Sequence, residues 1–437
     1  MKAVGIIAEY NPFHNGHAYQ IQKAKELSHA DYAVVAMSGN FVQRGAPAIL
    51  DKFIRTYMAL SGGADFVFEL PAVWATASAE YFASAGVALF DALGCIDCIS
   101  FGCETPDLPL LSKIADILSD EPEIYAKRLR SSLKQGLPFP SARKQALAGI
   151  FHADLSGVLG SPNNILALEY LKALIRQKSA LCPVLIERKG SGYHETDLNQ
   201  KYCSATALRN LLLSPSCCQE NFRLSDTLSS LAPQEAASCL MSLPAHFLTE
   251  NDFSSVLYYK LLCERSRGFS LYADSSQELS NRICRALSDF RSFKNFCEKL
   301  KSKDMTYTRI SRLLFHILLD IRQKDYENGR KLGYIPYLRL LGFRKEASGF
   351  FSEIKKHALR PVITKPAQEI SLLSEPARLM FQKDIFSSDL YYGTREQKDA
   401  LQNLSGQICP DKASRICWKN ELQREIVKYP TEKLPWQ

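Results

Sequence analysis

No apolar run in this chain approaches the length that a membrane-spanning helix needs. A secretion signal is lacking too, because the first apolar stretch, residues 4–8, is short and Glu9 and Asn11-Pro12 follow it at once. A cytoplasmic location is expected. A disulfide framework is not expected from 13 cysteines, an odd number scattered from Cys95 to Cys417 in a large protein. Cys95-Ile96-Asp97-Cys98 has the spacing of half a zinc site, with Cys103 nearby. No second Cys/His pair stands at suitable local spacing, and Cys98 opens the apolar run Cys98-Ile99-Ser100-Phe101, so buried thiols rather than metal ligands are expected. Internal repeats and low-complexity tracts are absent. A hydrophobic content of 46% with 23% charged residues excludes a largely disordered chain, and 437 residues leave room for two or three domains. The charge surplus is small, +8, so its distribution matters more than its total.

What the chain does have is concentrated at its start. Ala3-Val4-Gly5-Ile6-Ile7-Ala8 reads as a buried strand, Glu9-Tyr10-Asn11-Pro12-Phe13 ends it, and the amphipathic run from Ala18, Tyr19 and Gln20 to Leu27 reads as a helix. His14-Asn15-Gly16-His17 therefore falls in a strand-to-helix turn. Backbone N–H groups and the dipole at a helix N-terminus make a site for phosphate. Gly16 lets the backbone approach a ligand, and His14 and His17 are candidate catalytic residues that can donate to phosphoryl oxygens as charge develops. A surface turn with two solvated histidines is the bland alternative.

Further strands are expected at residues 31–37, 65–70, 98–101 and 181–187, with helices at 52–61, 73–93, 108–118, 121–135 and 165–177. Such alternation implies an α/β fold, a Rossmann-like parallel sheet covered on both faces. The loop Ser38-Gly39-Asn40-Phe41-Val42-Gln43-Arg44-Gly45 is either substrate-facing or a plain polar connection. In Ser204-Ala205-Thr206-Ala207-Leu208-Arg209, Ser204 or Thr206 can cap a helix and leave N–H groups for phosphate, with Arg209 one turn on.

Past Ser214-Pro215-Ser216 the pattern becomes mainly helical, placing a domain boundary between residues 1–220 and residues 221–437. Over residues 291–365 there are 18 Lys and Arg against seven Asp and Glu, interleaved with aromatics. This is either a solvated helical surface with core aromatics or a nucleic-acid surface, and the segment as a whole favours the second. Its densest parts hold Arg309 and Arg312, then Arg339, Arg344 and Lys345.

The opening motif is a form of the HIGH signature of nucleotidylyltransferases and class I aminoacyl-tRNA synthetases. With Met37-Ser38-Gly39-Asn40-Phe41-Val42-Gln43-Arg44-Gly45, Ser161-Pro162-Asn163-Asn164-Ile165-Leu166, Ser191-Gly192-Tyr193-His194, Ser204 to Arg209, Tyr307-Thr308-Arg309-Ile310 and Tyr337-Leu338-Arg339-Leu340-Leu341-Gly342, the chain resembles the tRNA(Met) cytidine acetate ligase family up to about residue 345. The resemblance implies activation of acetate by ATP to acetyl-adenylate, then acetyl transfer to N4 of the wobble cytidine of elongator tRNA(Met). It also implies an ATP-binding loop over Ile7, Ala8, Glu9, Tyr10, Asn11, Pro12, Phe13, His14, Asn15, Gly16, His17, Ala18, Tyr19 and Gln20, with further nucleotide contacts at Gly102, Asn163, Asn164, Arg188, Ser204, Thr206 and Arg209. Arg309, Arg312, Arg339, Arg344 and Lys345 would contact tRNA. Mg²⁺ is expected to accompany ATP, without a dedicated protein cage. Ala205 departs from the hydroxyl residue common there in nucleotidylyltransferases. A nucleotidylyltransferase acting on a small phosphorylated metabolite, or an RNA-binding protein with an inactive nucleotide fold, are the alternatives.

Overall fold

The computed structural model describes residues 1–152, 154–188, 203–214, 221–243, 247–404 and 421–431. Its strands are β1 (Ala3–Ala8), β2 (Tyr32–Ser38), β3 (Phe41–Val42), β4 (Ala46–Pro47), β5 (Phe66–Leu70), β6 (Cys98–Cys103), β7 (Cys182–Glu187), β8 (Leu338–Arg344), β9 (Val362–Ile363) and β10 (Val427–Tyr429). β3 and β4 form a separate small hairpin, and the others share one sheet in the order β10-β8-β5-β2-β1-β6-β7, with β9 also on β8. From β5 to β7 all pairings are parallel. Strand order reverses at β1, which lies between β2 and β6, so a crevice opens beyond the carboxyl ends of β1 and β6, where such sheets bind ligands.

Side chains of the central strands alternate between two buried layers, as the two-residue strand period requires. Ala3, Val34 and Ala36 enter one layer, while Val4, Ile6, Ala33, Val35 and Met37 enter the other. Each large apolar chain buried this way contributes about 1.5–3 kcal/mol. The five strands read from the sequence are present. The long helix expected at 73–93 is instead two, Ala72–Ala75 and Ala79–Leu93, broken where Thr76 Oγ1 turns back to the Ala72 carbonyl. Cys98 and Cys103 are buried in β6, Cys95 less so. No helix among the described residues is long and apolar enough to cross a membrane.

The C-terminal half is mainly helical, yet it also completes the sheet. β8 runs antiparallel to β5 with Arg339 opposite Glu69, and this register corrects one expectation: Arg339 is fully buried and cannot offer its charge to RNA at the surface. Its partner is Glu421, 3.5 Å away, and Glu421 also meets Lys52 at 2.9 Å, which in turn holds Glu69 at 2.8 Å. The helix α2 (Lys52–Ser61) thus presents a lysine to carboxylates from both halves of the chain. Buried charges are tolerated only when answered this closely. Lys52→Met, which leaves two buried carboxylates with Arg339 alone, is expected to cost roughly 3–5 kcal/mol of unfolding free energy. Chemical denaturation checks this, and an unchanged midpoint would mean that the four groups do not form one network.

Candidate active site

The segment leaving β1 turns sharply. Tyr10 takes a left-handed φ of 47°, a strained conformation for an aromatic residue, and its ring packs against Phe13 at 4.9 Å and His17 at 4.8 Å. Asn11 Oδ1 accepts from the Ile49 N–H at 2.9 Å, tying the turn to the loop after β4. Beneath it the buried Arg55 donates to the carbonyls of Glu9, Ser38, Gly39 and Leu50, which fixes the carboxyl ends of β1 and β2 relative to one another. Nothing local in the sequence marks Arg55 for this role.

α1 (Asn15–Ser28) then begins with a reciprocal cap made by the two histidines. His14 Nδ1 accepts from the Gly16 N–H at 3.0 Å, and His17 Nδ1 accepts from the His14 N–H at 3.3 Å. An imidazole nitrogen that accepts carries no proton, so both rings are held as the neutral tautomer with Nε2–H as the remaining donor. The rings stack with centroids 3.8 Å apart. Burial, reinforced by the positive charges of Arg188 and Arg209, pulls the His14 pKa down to about 3. Burial, His14 and Arg188 hold His17 well below its ordinary value. Gly16 is required here, since a Cβ at that position would stand 2.9 Å from His14 Cε1.

Other residues expected at the nucleotide converge on this turn. Arg209 Nη1 donates to the Asn11 carbonyl at 2.7 Å and Nη2 to Thr206 Oγ1 at 3.0 Å, while Ser204 Oγ caps its helix by accepting from the Ala207 N–H at 3.0 Å. From the other side, Arg188 follows β7 and packs over Gly102, with Nη1 3.4 Å from Asn163 Oδ1. Asn163 and Asn164 are positioned by Glu104, directly after β6: its carboxylate accepts from Asn163 Nδ2 at 2.6 Å and from the Asn164 N–H at 2.9 Å. Glu104 was missed as a positioning residue, although its place at the carboxyl end of a parallel strand was the available signal. Asn164 is itself fully buried, its Oδ1 accepting from the N–H groups of Glu104 and Thr105. That leaves Asn163 as the more accessible of the two amides.

The loop after β2 divides between the two readings given for it. Asn40 is buried and its Oδ1 accepts from the Lys52 N–H at 2.9 Å, at the start of α2, whereas the Gln43 N–H reaches Glu9 Oε1 at 3.0 Å and Arg44 is exposed. Ala18 and Tyr19 line a cleft of about 460 Å³ that also holds Asn15, Lys25 and Arg344. Lys345 is exposed, and Arg309 and Arg312 line a second cleft away from the turn. Ser191-Gly192-Tyr193-His194 lies outside the described residues. Among the described residues no group of three or more His, Cys, Asp or Glu is arranged to hold a metal ion.

The family model described as HIGH Nucleotidyl Transferase matches residues 1–404. A protein of Thermoanaerobacter sp. (strain X514) named tRNA(Met) cytidine acetate ligase is 40% identical over 395 residues, covering 90% of this chain and 95% of that protein. One of the same name from Thermosipho melanesiensis is 35% identical over 419 residues, covering 91% and 96%. The crystal structure of Thermotoga maritima TmcAL bound with alpha-thio ATP matches with a TM-score of 0.83 at 28% identity, covering 98% of this chain and 99% of that one, and its apo form matches at 0.85.

The histidine cap has a pH signature. Because the folded state holds His14 near 3 while an unfolded histidine titrates near 6.5, the unfolded chain binds the proton more readily. The stability tied to the neutral ring is present in full above pH 6.5 and is lost as pH falls from there toward 3. Between pH 7 and pH 5 the loss through His14 is about 2 kcal/mol. His14→Asn, which keeps a capping acceptor but does not titrate, is expected to flatten this dependence in denaturation curves taken at both pH values. An unaltered slope would contradict the neutral cap.

Proposed function

The chain belongs to the tRNA(Met) cytidine acetate ligase family, within the HIGH nucleotidyl transferases, and on that premise we propose that it activates acetate with ATP and transfers the acetyl group to N4 of the wobble cytidine of elongator tRNA(Met). In the first step an acetate oxygen attacks the α-phosphorus of ATP, the bond to the bridging oxygen breaks, and pyrophosphate leaves, giving acetyl-adenylate. In the second the cytidine N4 attacks the acetyl carbonyl carbon, AMP departs with the bonding electrons, and N4 loses a proton.

The roles follow from what each group can do. Polyphosphate lies at the N-terminus of α1, where His14 and His17 donate from Nε2–H to phosphoryl oxygens as charge builds on the leaving pyrophosphate. Neutral donors suit this task because they neither need nor release a proton during the step. Arg188 and Arg209 flank the phosphates from opposite sides, with Thr206 and Ser204 beside Arg209. Residues 7–20, Gly102 and Asn163 shape the rest of the nucleotide site. Mg²⁺ would arrive with ATP, held by its phosphates, and no residue of the chain is assigned to it. Residues 1–220 carry the adenylation chemistry, residues 221–437 bring the tRNA through Arg309, Arg312, Arg344 and Lys345, and the reaction takes place in the cytoplasm.

The observation that carries this reading is the pair of imidazoles locked neutral by the backbone between two guanidinium groups. ATP–pyrophosphate exchange tests it. Exchange should require acetate, and His14→Ala and His17→Ala should each lower it by about 10²–10³-fold, the effect of removing one preorganised donor. Exchange that proceeds equally well without a carboxylate would favour a nucleotidylyltransferase acting on a phosphorylated metabolite.

A further inference from the structure

A second cleft, of about 420 Å³, lies apart from the histidine turn and is built almost entirely from polar and aromatic side chains. One wall is Tyr81 and Tyr326, with ring centroids 4.9 Å apart. Arg309 and Arg312 project from the helix Tyr307–Leu318, and Asp274, Ser275 and Gln323 complete the lining. The volume falls in the range of about 300–1,000 Å³ typical of small-molecule sites.

Three features make this more than a surface depression. Arg312 Nε answers the Asp274 carboxylate at 2.9 Å, whereas Arg309, whose charge also bears on Asp274, makes no ion pair within 4 Å among the described residues and can meet a further anion. Tyr326 is 98% buried, and its hydroxyl has no hydrogen-bond partner. A buried phenol is ordinarily paired, so an unpaired one on a cleft wall points to a ligand that supplies the missing partner. The third feature is position. The same helix sits against the loop after β3: Ser311 Oγ donates to the Gly45 carbonyl, and a Cβ on Gly45 would stand 2.4 Å from the Arg312 nitrogen. Two residues earlier, Gln43 holds Glu9 beside the ATP loop. The cleft is therefore coupled to the adenylation site through one short loop.

We propose that this cleft takes one unstacked nucleotide of the RNA substrate, its base on the partly exposed Tyr81 ring, with the Tyr326 hydroxyl at the base's polar edge, and its phosphate on Arg309. Aromatic faces and a guanidinium together are how single-stranded RNA is held, and the Asp274 carboxylate and Gln323 amide can pair with the polar edge of a base. A pyrophosphate site is disfavoured, because Asp274 lies in the lining and Arg312 is already committed to it. The proposal rests on the RNA-acceptor reading above and adds to it a defined pocket in place of a diffuse basic surface.

The test is binding of a full-length tRNA(Met) transcript to the intact protein and to single variants. Arg309→Ala and Gln323→Ala, both near the surface, should each weaken binding, the first by about tenfold. Lys113→Ala, an exposed lysine on the helix Leu108–Asp120, should stay within about twofold and so controls for general loss of charge. Tyr326→Phe gives the sharpest contrast. Removing an unpaired buried hydroxyl should leave the melting temperature unchanged or raise it, while tRNA affinity falls severalfold. A purely structural tyrosine would not lose affinity at undiminished stability. Wild-type binding with Arg309→Ala and Tyr326→Phe both unaffected would overturn the cleft and leave the acetate ligase reading standing. Failure of the wild-type protein to bind the transcript at all would overturn that reading and this proposal with it.

Discussion

Two backbone N–H groups at the start of α1 donate to imidazole nitrogens, and the candidate active site depends on that arrangement. A helix needs its first donors satisfied. Here the satisfying acceptors are the side chains of the two candidate catalytic residues, so helix initiation and the protonation state of both imidazoles are a single interaction. Protonating either Nδ1 would set donor against donor and uncap the helix. The neighbouring guanidinium groups disfavour the same proton electrostatically, which makes the neutral state doubly specified.

The scaffold around the turn explains why so much of the chain is needed to hold it. The parallel strands from β5 to β7 bring residues 9–17, Glu104 and Arg188 to one edge of the sheet. The antiparallel β8 then closes the sheet on the β5 side and carries Arg339 to the buried Lys52–Glu69–Glu421 group. A helix of 30 residues, Glu375–Leu404, crosses beneath: its Tyr391 hydroxyl reaches the Ala48 carbonyl at 2.8 Å, and Asp384 accepts from the Ala72 N–H at 2.7 Å. The half of the chain that carries the basic residues is thus bonded directly to the segments that follow β4 and β5.

The parts of this arrangement legible in the sequence are those whose signal is local. The strand, the turn residues and the helix start around His14 and His17 lie within two dozen residues and agree with one another, as do the strand-helix alternations of the first half. Charge was the misleading signal. Arg339 counts as positive in any sum over residues 291–365, yet only the pairing of β8 with β5 reveals that its charge is spent inside the protein. Arg55 and Glu104 escaped for the complementary reason: each acts on backbone or amide groups far away in sequence, and nothing beside them announces a partner. The cleft at Tyr326 is of the same kind, assembled from residues 81, 274, 309 and 326, which no local pattern would join.

The measurement that bears most directly on the account is nucleoside mass spectrometry of tRNA(Met) after incubation with the protein, ATP and isotopically labelled acetate. The account predicts a single labelled N4-acetylcytidine at the wobble position, formed only when ATP is present. Pyrophosphate release at the normal rate with no labelled cytidine in the digested tRNA would contradict it.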